Sequence, residues 1–324
     1  MSDRKSMSVS ALSAPLTALS TPLQAPGPDT IRLYTLACGL NFADLLQIKG
    51  EYQESVGFPF VPGMEVCGVV DALGANVEIF EVGDRVACVP GHGGLATHVT
   101  VPAARCVRVP DALSDAQAAG FQIAYGSSHL ALTRRARLKA GETVVVLGAA
   151  GGVGLTAVEI AHVMGANVIA VARGAEKLEI ARKAGANVTL DATSADLKDQ
   201  LKAAGPVHVV YDAVGGALGE AAFSALVPEG RYLAIGFASG DIPKLRLNHA
   251  LVKNIDVIGF YWGAYAKFNQ DALRDSMAEL LDWAATGRIT PHISHVLPLE
   301  KAQDGLELLR SRKATGKVVI TPNA

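Results

Sequence analysis

The sequence predicts an α/β fold: a doubly wound parallel sheet inserted in a β-rich domain. Three observations carry that expectation. The stretch Thr143 to Met164, TVVVLGAAGGVGLTAVEIAHVM, runs from β-branched residues through a glycine-dense turn into an apolar-periodic helix. From about 120 to 262, near-continuous apolar strands such as TVVVLG, ANVIAVAR, HVVYDAVG and IDVIGFYW alternate with helical segments, the pattern of a parallel sheet covered on both faces. Before about 110, short alternating strands such as CGVVDALG, GDRVACVP and ATHVTVP are broken by Gly and Pro, with one helix from Phe42 to Lys49.

The tail reads as an amphipathic helix from about Asp271 to Thr286, a strand, the helix LEKAQDGLELLRS and a final KVVIT strand. The expected division is therefore residues 1–120 with 265–324 in the β-rich domain, and 121–264 in the domain with the parallel sheet. A chain of 324 residues, half of them hydrophobic, is long enough for two such cores. The first few residues are expected to be disordered. They form a poor signal peptide, because no apolar run follows them unbroken.

Charge excludes several partners. With 29 basic and 31 acidic residues the formal net charge is -2, and no basic stripe suits nucleic acid or an anionic membrane. No apolar run is long enough to span a bilayer. The cysteines Cys38, Cys67, Cys88 and Cys106 are far apart and form no CxxC, which suits a reducing cytoplasm.

The turn Ala149-Ala150-Gly151-Gly152-Val153-Gly154 is the dinucleotide fingerprint with alanine in its first glycine position. Ala149 and Gly151 allow a tight turn and close approach of a pyrophosphate. Gly154 lets the helix pack on the strand, and the N–H groups at the helix start face the phosphates. The next strand, Asn167 to Arg173, ends in Ala172 where NAD sites place an acid for the ribose 2′-OH. Arg173 and Lys177 follow. An acid repels a 2′-phosphate and these cations attract it, so NADPH is the expected cofactor. The alternative for Arg173 and Lys177 is a plain surface role. Two later strand ends, at Tyr211 to Gly216 and at Ala234 to Phe237, place Gly236 and Phe237 where ribose and nicotinamide would lie against backbone. The alternative there is simple strand-to-helix turning.

Four segments, NFADLLQIKGEY (Asn41 to Tyr52), PFVPGMEVCGVV (Pro59 to Val70), GAAGGVGL (Gly148 to Leu155) and ATGKVVI (Ala314 to Ile320), resemble the medium-chain dehydrogenase/reductase superfamily in its zinc-independent, zeta-crystallin-like quinone oxidoreductase branch. The resemblance implies a Rossmann sheet inserted in a GroES-like β-rich catalytic domain. It also implies a homodimer paired along the Rossmann edge, near the apolar run Ile255 to Trp262. The superfamily's alcohol dehydrogenases hold zinc with Cys where this chain has Asn41, and with His where it has Met64. Neither residue is a credible zinc ligand. His292 and His295 have ligand-like spacing but lie in an expected loop without a third partner. No metal is expected.

Without a Lewis acid the acceptor must bring its own electrophilicity, so quinones and α,β-unsaturated carbonyls are the expected substrates. Asn41 would donate its amide to a developing oxyanion, unless it serves only as a helix cap. Tyr52 is a candidate proton donor or a pocket-lining residue. The Asn41 to Tyr52 motif is also similar to that of 2-enoyl thioester reductases, the runner-up activity, for which a basic entry at Arg134, Arg135 and Arg137 would matter. A non-catalytic NADPH-binding protein is a third reading. The resemblance further implies that Ser127 lies near the nicotinamide, that Lys317 lies near the cofactor phosphates, and that Phe260, Tyr261 and Trp262 form an aromatic wall, whose alternative is dimer-edge or core packing. Ala192 departs from the branch, which often has Tyr there against the 2′-phosphate.

Overall fold

Strand β3 (Thr30–Leu40) shows how burial pattern sets the first half of the chain. Ile31, Leu33 and Thr35 are buried, Arg32 and Tyr34 are more open, and the strand's last four residues are all buried. The computed structural model describes residues 3–323. Ahead of β3, β1 (Asp3–Ser8) pairs antiparallel with β2 (Thr17–Pro22). The chain is thus ordered from Asp3 onward rather than disordered for its first few residues, and Met1 and Ser2 lie outside the described part. After β3 come helix α1 (Phe42–Lys49), β4 (Glu65–Leu73), β5 (Arg85–Cys88), β6 (His98–Pro102) and β7 (Cys106–Arg108). Helix α1 stops at Gly50, whose φ of 70° lets its N–H reach the Leu46 and Gln47 carbonyls. The short helices α2 (Asp115–Ala119) and α3 (Gln122–Leu130) follow.

The parallel sheet comprises β8 (Thr143–Leu147), β9 (Asn167–Ala172), β10 (Val188–Asp191), β11 (Val207–Asp212), β12 (Leu226–Ala234) and β13 (Asp256–Gly259). Their spatial order is β10-β9-β8-β11-β12-β13, the doubly wound order that reverses beside β8. The crossovers carry α4 (Gly152–Val163), α5 (Ala175–Lys183), α6 (Leu197–Ala203), α7 (Gly216–Ala225) and α8 (Leu247–Lys253). Every residue of β8 is buried, as expected for a central strand covered on both faces. Helices α9 (Tyr265–Phe268) and α10 (Gln270–Ala285) come next. Then β14 (Ile293–Pro298), α11 (Ala302–Arg310) and β15 (Lys317–Thr321) bring the chain back to the first sheet, whose order is β14-β15-β3-β4-β5-β7 with β6 against β3.

Two units result. One runs to Ile123 and resumes at Pro291; the other is Ala124–Thr290. The second unit therefore continues beyond the expected residue 264. The reason is α10, whose buried face belongs to this unit: Ser276 Oγ lies 2.8 Å from His129 Nδ1, Trp283 meets the His129 ring edge-on, and Ala272 packs with Leu130 and Tyr265. His295 lies within β14 rather than in a loop.

Candidate cofactor and acceptor sites

In the second unit the fingerprint is built from backbone. Ala149 and Ala150 are buried beneath the turn that leaves β8, and Gly151 N–H closes it on the Gly148 carbonyl at 2.9 Å. Helix α4 has no side-chain cap, and Leu155 N–H to Gly151 O, at 2.8 Å, is its opening bond. The N–H groups of Gly152, Val153 and Gly154 precede that bond and form the positive end of the helix. A Cβ on Gly154 would meet the Gly148 carbonyl oxygen at 2.1 Å, so only glycine permits the turn. On Gly151 the nearest atom would be 3.3 Å away. The cradle therefore fits a dinucleotide pyrophosphate on two counts: bare amides, and room that any side chain would fill.

Other expected cofactor residues collect at the same carboxyl edge of the sheet. Ala149 N–H donates to Val171 O, which sets the end of β9, with buried Ala172 and exposed Arg173, beside the turn. Lys177 lies on α5. The loops after β11 and β12 interlock there through Ala238 N–H to Ala213 O and Ser239 N–H to Val214 O, which places Gly236 and Phe237 at this edge. Ala192 follows β10 and donates to the Ala172 carbonyl at 2.9 Å.

Sequence reading missed two acids here. Asp212 ends β11 buried; its Oδ1 accepts from Val214 and Gly215 N–H, and its Oδ2 accepts from Tyr232 OH. Asp191 ends β10 opposite Ala172 and accepts from Gly174 N–H at 3.1 Å. Hydrogen bonds from Thr193 and Gly174 hold its carboxyl below the usual range. An acid thus stands beside the end of β9 after all, supplied by the neighbouring strand. Periodicity could not show this, because strand order is not written in it.

The aromatic triplet divides. Phe260 and Trp262 pack on the small core of Leu130, Tyr265 and Ala272, with the Phe260 and Tyr265 rings 5.8 Å apart. The Trp262 indole also lies against Gly126, where an added Cβ would meet Nε1 at 2.7 Å. Ser127, buried on α3, is the next residue. Beside it Ser128 Oγ lies 2.8 Å from Thr156 Oγ1 and 3.0 Å from Tyr211 OH, and it donates to Val153 O. These hydroxyls tie the first turn of α4 to α3 and β11. Tyr261 folds back over its own turn, close to Gly263. Of the arginines proposed as a basic entry, Arg135 donates to the Gly259 carbonyl at 3.3 Å and Arg137 pairs with Asp256 at 3.5 Å, so both sit on the β13 edge.

In the first unit the site is built from buried charge. Asn41 caps α1, and its N–H donates to Asp44 Oδ2 at 2.8 Å; Asp44 Oδ1 accepts from Gly63 N–H at 3.0 Å. Asp44 is fully buried, and that burial pushes its carboxyl up to about 6. Lys317 Nζ donates to Glu65 Oε1 at 2.6 Å and to Asn41 Oδ1 at 2.7 Å, and Asn41 Nδ2 donates to Glu65 Oε1 at 2.9 Å. Glu65 Oε2 accepts from Ile123 N–H. Exposure is 4% for Lys317 and 1% for Glu65. One expectation changes: the Asn41 amide donates to Glu65 instead of being open to an acceptor. Lys317, expected near the cofactor phosphates, pairs with Glu65 within its own unit. Asp44 and Glu65 were missed as site residues. The signal for Glu65 was a lone acid at the head of an apolar strand. Tyr52 is half-buried in the segment after Gly50.

Among the described residues no group of three or more His, Cys, Asp or Glu is arranged to hold a metal. His292 Nε2 lies 3.1 Å from Thr315 Oγ1, and His295 Nδ1 lies 3.0 Å from Ser294 Oγ. No helix among the described residues is long and apolar enough to cross a membrane.

Comparison with known proteins gives the lineage. Residues 27–111 match the family model for the alcohol dehydrogenase GroES-like domain, and residues 152–284 match that for zinc-binding dehydrogenase. The quinone oxidoreductase-like protein 2 homolog of Nematostella vectensis is 39% identical over 300 residues, covering 91% of this chain and 82% of the relative. The chain belongs to the medium-chain dehydrogenase/reductase superfamily, in its quinone oxidoreductase branch. Solved members of that branch superpose along nearly the whole chain. The Thermus thermophilus quinone oxidoreductase, solved also as its complex with NADPH, has a TM-score of 0.87 at 31% identity, covering 98% of this chain and 100% of that one. The Escherichia coli quinone oxidoreductase complexed with NADPH has a TM-score of 0.89 at 28% identity, covering 99% and 100%.

Proposed function

We propose that this NADPH-dependent oxidoreductase reduces quinones and other activated α,β-unsaturated carbonyls without zinc. The observation that carries the reading is the uncapped, glycine-lined start of α4 beside a β9 end that lacks an acid and is followed by Arg173. Two solved structures of the branch were obtained with NADPH, which supports the same cofactor here. Bound NADPH supplies the hydride. The bare amides of Gly152, Val153 and Gly154 hold the pyrophosphate, and Arg173 and Lys177 attract the 2′-phosphate. Ser127, Gly236 and Phe237 bound the ribose and nicotinamide end, with Trp262 beside Ser127 as the aromatic surface for a flat acceptor. Tyr52 delivers a proton where the reduced acceptor needs one. Asn41 acts through Glu65 and Lys317 by holding that network in place.

Zinc independence rests on donor chemistry. Asn41 and Met64 stand where the alcohol dehydrogenases of the superfamily place Cys and His, and the Asn41 carbonyl already accepts from the Lys317 ammonium, whose charge disfavours a second cation. A homodimer forms along β13, an edge strand flanked by the exposed Leu247, Leu251 and Val252 of α8. Four free cysteines suit a reducing cytoplasm.

The deciding experiment measures NADPH oxidation, before and after exhaustive chelation, against benzoquinone, naphthoquinone, phenanthrenequinone, an alkenal and crotonyl-CoA. Quinones turn over fastest and chelation changes nothing if the reading holds. Turnover with crotonyl-CoA alone would replace it with enoyl-thioester reduction. Light scattering tests the dimer.

A further inference from the structure

We propose that Cys88 and Cys106 are a peroxide-sensitive modification site, which closes to a reversible cross-strand disulfide joining β7 to β5. The ladder geometry carries the proposal. The two strands are antiparallel, with Cys88 directly opposite Cys106, Ala87 opposite Val107 and Val86 opposite Arg108. One step further along the same register, Val109 N–H donates to Arg85 O at 3.0 Å. Arg85 and Val109 are therefore a hydrogen-bonded pair. Antiparallel pairs alternate, so Ala87 and Val107 are also hydrogen-bonded, whereas Cys88 and Cys106 fall at a non-hydrogen-bonded position. There the Cα atoms approach most closely, to about 4.5 Å, and the two side chains share one face. That separation lies inside the roughly 4.4–6.8 Å range of disulfides. Cys106 Sγ itself donates to the Pro102 carbonyl at 3.6 Å.

The other two cysteines provide the contrast. Cys38 lies opposite Val66, and Cys67 lies between Ala37 and Ala87. Both are buried, and neither faces a cysteine directly across the ladder.

Exposure assigns the order of events. Cys88 is buried, and the Cys106 thiol across the ladder, together with that burial, pushes its thiol up. Cys106 is half-exposed and meets the oxidant first. Its sulfur attacks hydrogen peroxide and the O–O bond breaks. One water leaves and a sulfenic acid forms. The Cys88 sulfur then attacks the Cys106 sulfur, forming the S–S bond as the S–O bond breaks and a second water leaves. The two thiol protons depart in the two waters, and the pair loses two electrons to the peroxide. A thiol reductant reverses the reaction. The bond closes the segment between β5 and β7. That segment borders the buried Asp44, through Gln47 Nε2 donating to Gly91 O and Gly94 N–H donating to Gly63 O.

The test treats the full chain with graded hydrogen peroxide and follows intact mass, non-reducing peptide maps and thermal midpoint. The expected product is a chain lighter by about 2 Da, with Cys88 and Cys106 in one linked peptide pair. Cys38 and Cys67 remain alkylatable after denaturation. The thermal midpoint rises on oxidation and falls back with dithiothreitol. Cys106→Ser, at the half-exposed position, should fold and lose the link. A link that persists in Cys106→Ser, an intermolecular bond through Cys106, or stepwise gain of oxygen at Cys106 with Cys88 still alkylatable would each overturn the proposal.

Discussion

The two units solve the problem of holding polar chemistry in opposite ways. The second unit offers backbone: the N–H groups at the start of α4, set by residues chosen for what they lack. The first unit offers side chains: Asn41, Asp44, Glu65 and Lys317, all buried, each needing the others to tolerate burial. The bare amides at a helix start are satisfied by water or a bound anion rather than by side chains, so that site depends on space, tolerating no added Cβ, more than on charged neighbours. A buried carboxylate–ammonium pair tolerates added bulk better than the loss of a partner. The difference implies that the units should fail to opposite kinds of substitution.

The largest expected effect is on the charged side. Glu65→Gln keeps shape and one acceptor but leaves the Lys317 ammonium buried without its counter-charge. Loss of one partner from such a pair costs about 3–5 kcal/mol. Chemical unfolding of the first unit should shift accordingly, and the double change Glu65→Gln with Lys317→Met should recover most of it. A single-variant loss below about 1 kcal/mol, the level of a surface pair, would show that the network is not under strain from burial.

The backbone side should respond to a methyl group. Gly154→Ala drives a Cβ to 2.1 Å from the Gly148 carbonyl, so the turn must open. NADPH affinity should fall at least about 100-fold, or 2.7 kcal/mol. Gly151→Ala puts its Cβ 3.3 Å from the Gly148 carbonyl oxygen at a φ of −81°, so the turn must give only slightly, and it should fold and lose affinity chiefly by intruding on the phosphate path. Isothermal titration of both variants sharpens the comparison. Unchanged affinity in Gly151→Ala would place the phosphates elsewhere.

The same contrast explains what was legible in the sequence. The fingerprint is local: strand, turn and helix lie within about twenty residues, and the need for small residues is visible in the letters. Strand patterning, alternating before about 110 and near-continuously apolar in the parallel sheet, gave both sheets for the same reason. The Asn41, Glu65 and Lys317 cluster joins positions 24 and 252 residues apart from Glu65, so the residues could be quoted but not their contacts. Asp191 was hidden likewise, because the pairing of β10 with β9 is a tertiary fact. The second boundary moved to Thr290 because the amphipathic face of α10 does not say which unit it covers.

Cofactor choice comes next in size. Ala172→Asp should remove a preference for NADPH over NADH of at least about tenfold, or 1.4 kcal/mol. Asp191→Asn should act in the other direction, since it withdraws an acid paired beside Ala172. Equal dissociation constants for the two cofactors in the parent protein would end this part of the reading.

The smallest effect concerns Tyr52, and it separates the two enzyme readings. A quinone that accepts hydride becomes a resonance-stabilised hydroquinone anion, which collects its proton from water and needs little help from a placed acid. An enoyl thioester gives a more basic enolate, for which a positioned phenol contributes about 10²- to 10⁴-fold. Tyr52→Phe should therefore keep quinone reduction within roughly tenfold of the parent, a change of 1.4 kcal/mol or less in barrier. The comparison belongs on kcat, with the NADPH dissociation constant measured beside it, because a displaced pocket would raise KM and mimic lost chemistry. If crotonyl-CoA turns over, the same substitution should cost far more there. A large loss of kcat with quinones at unchanged cofactor affinity would make Tyr52 an obligatory proton donor and move the assignment to enoyl-thioester reduction.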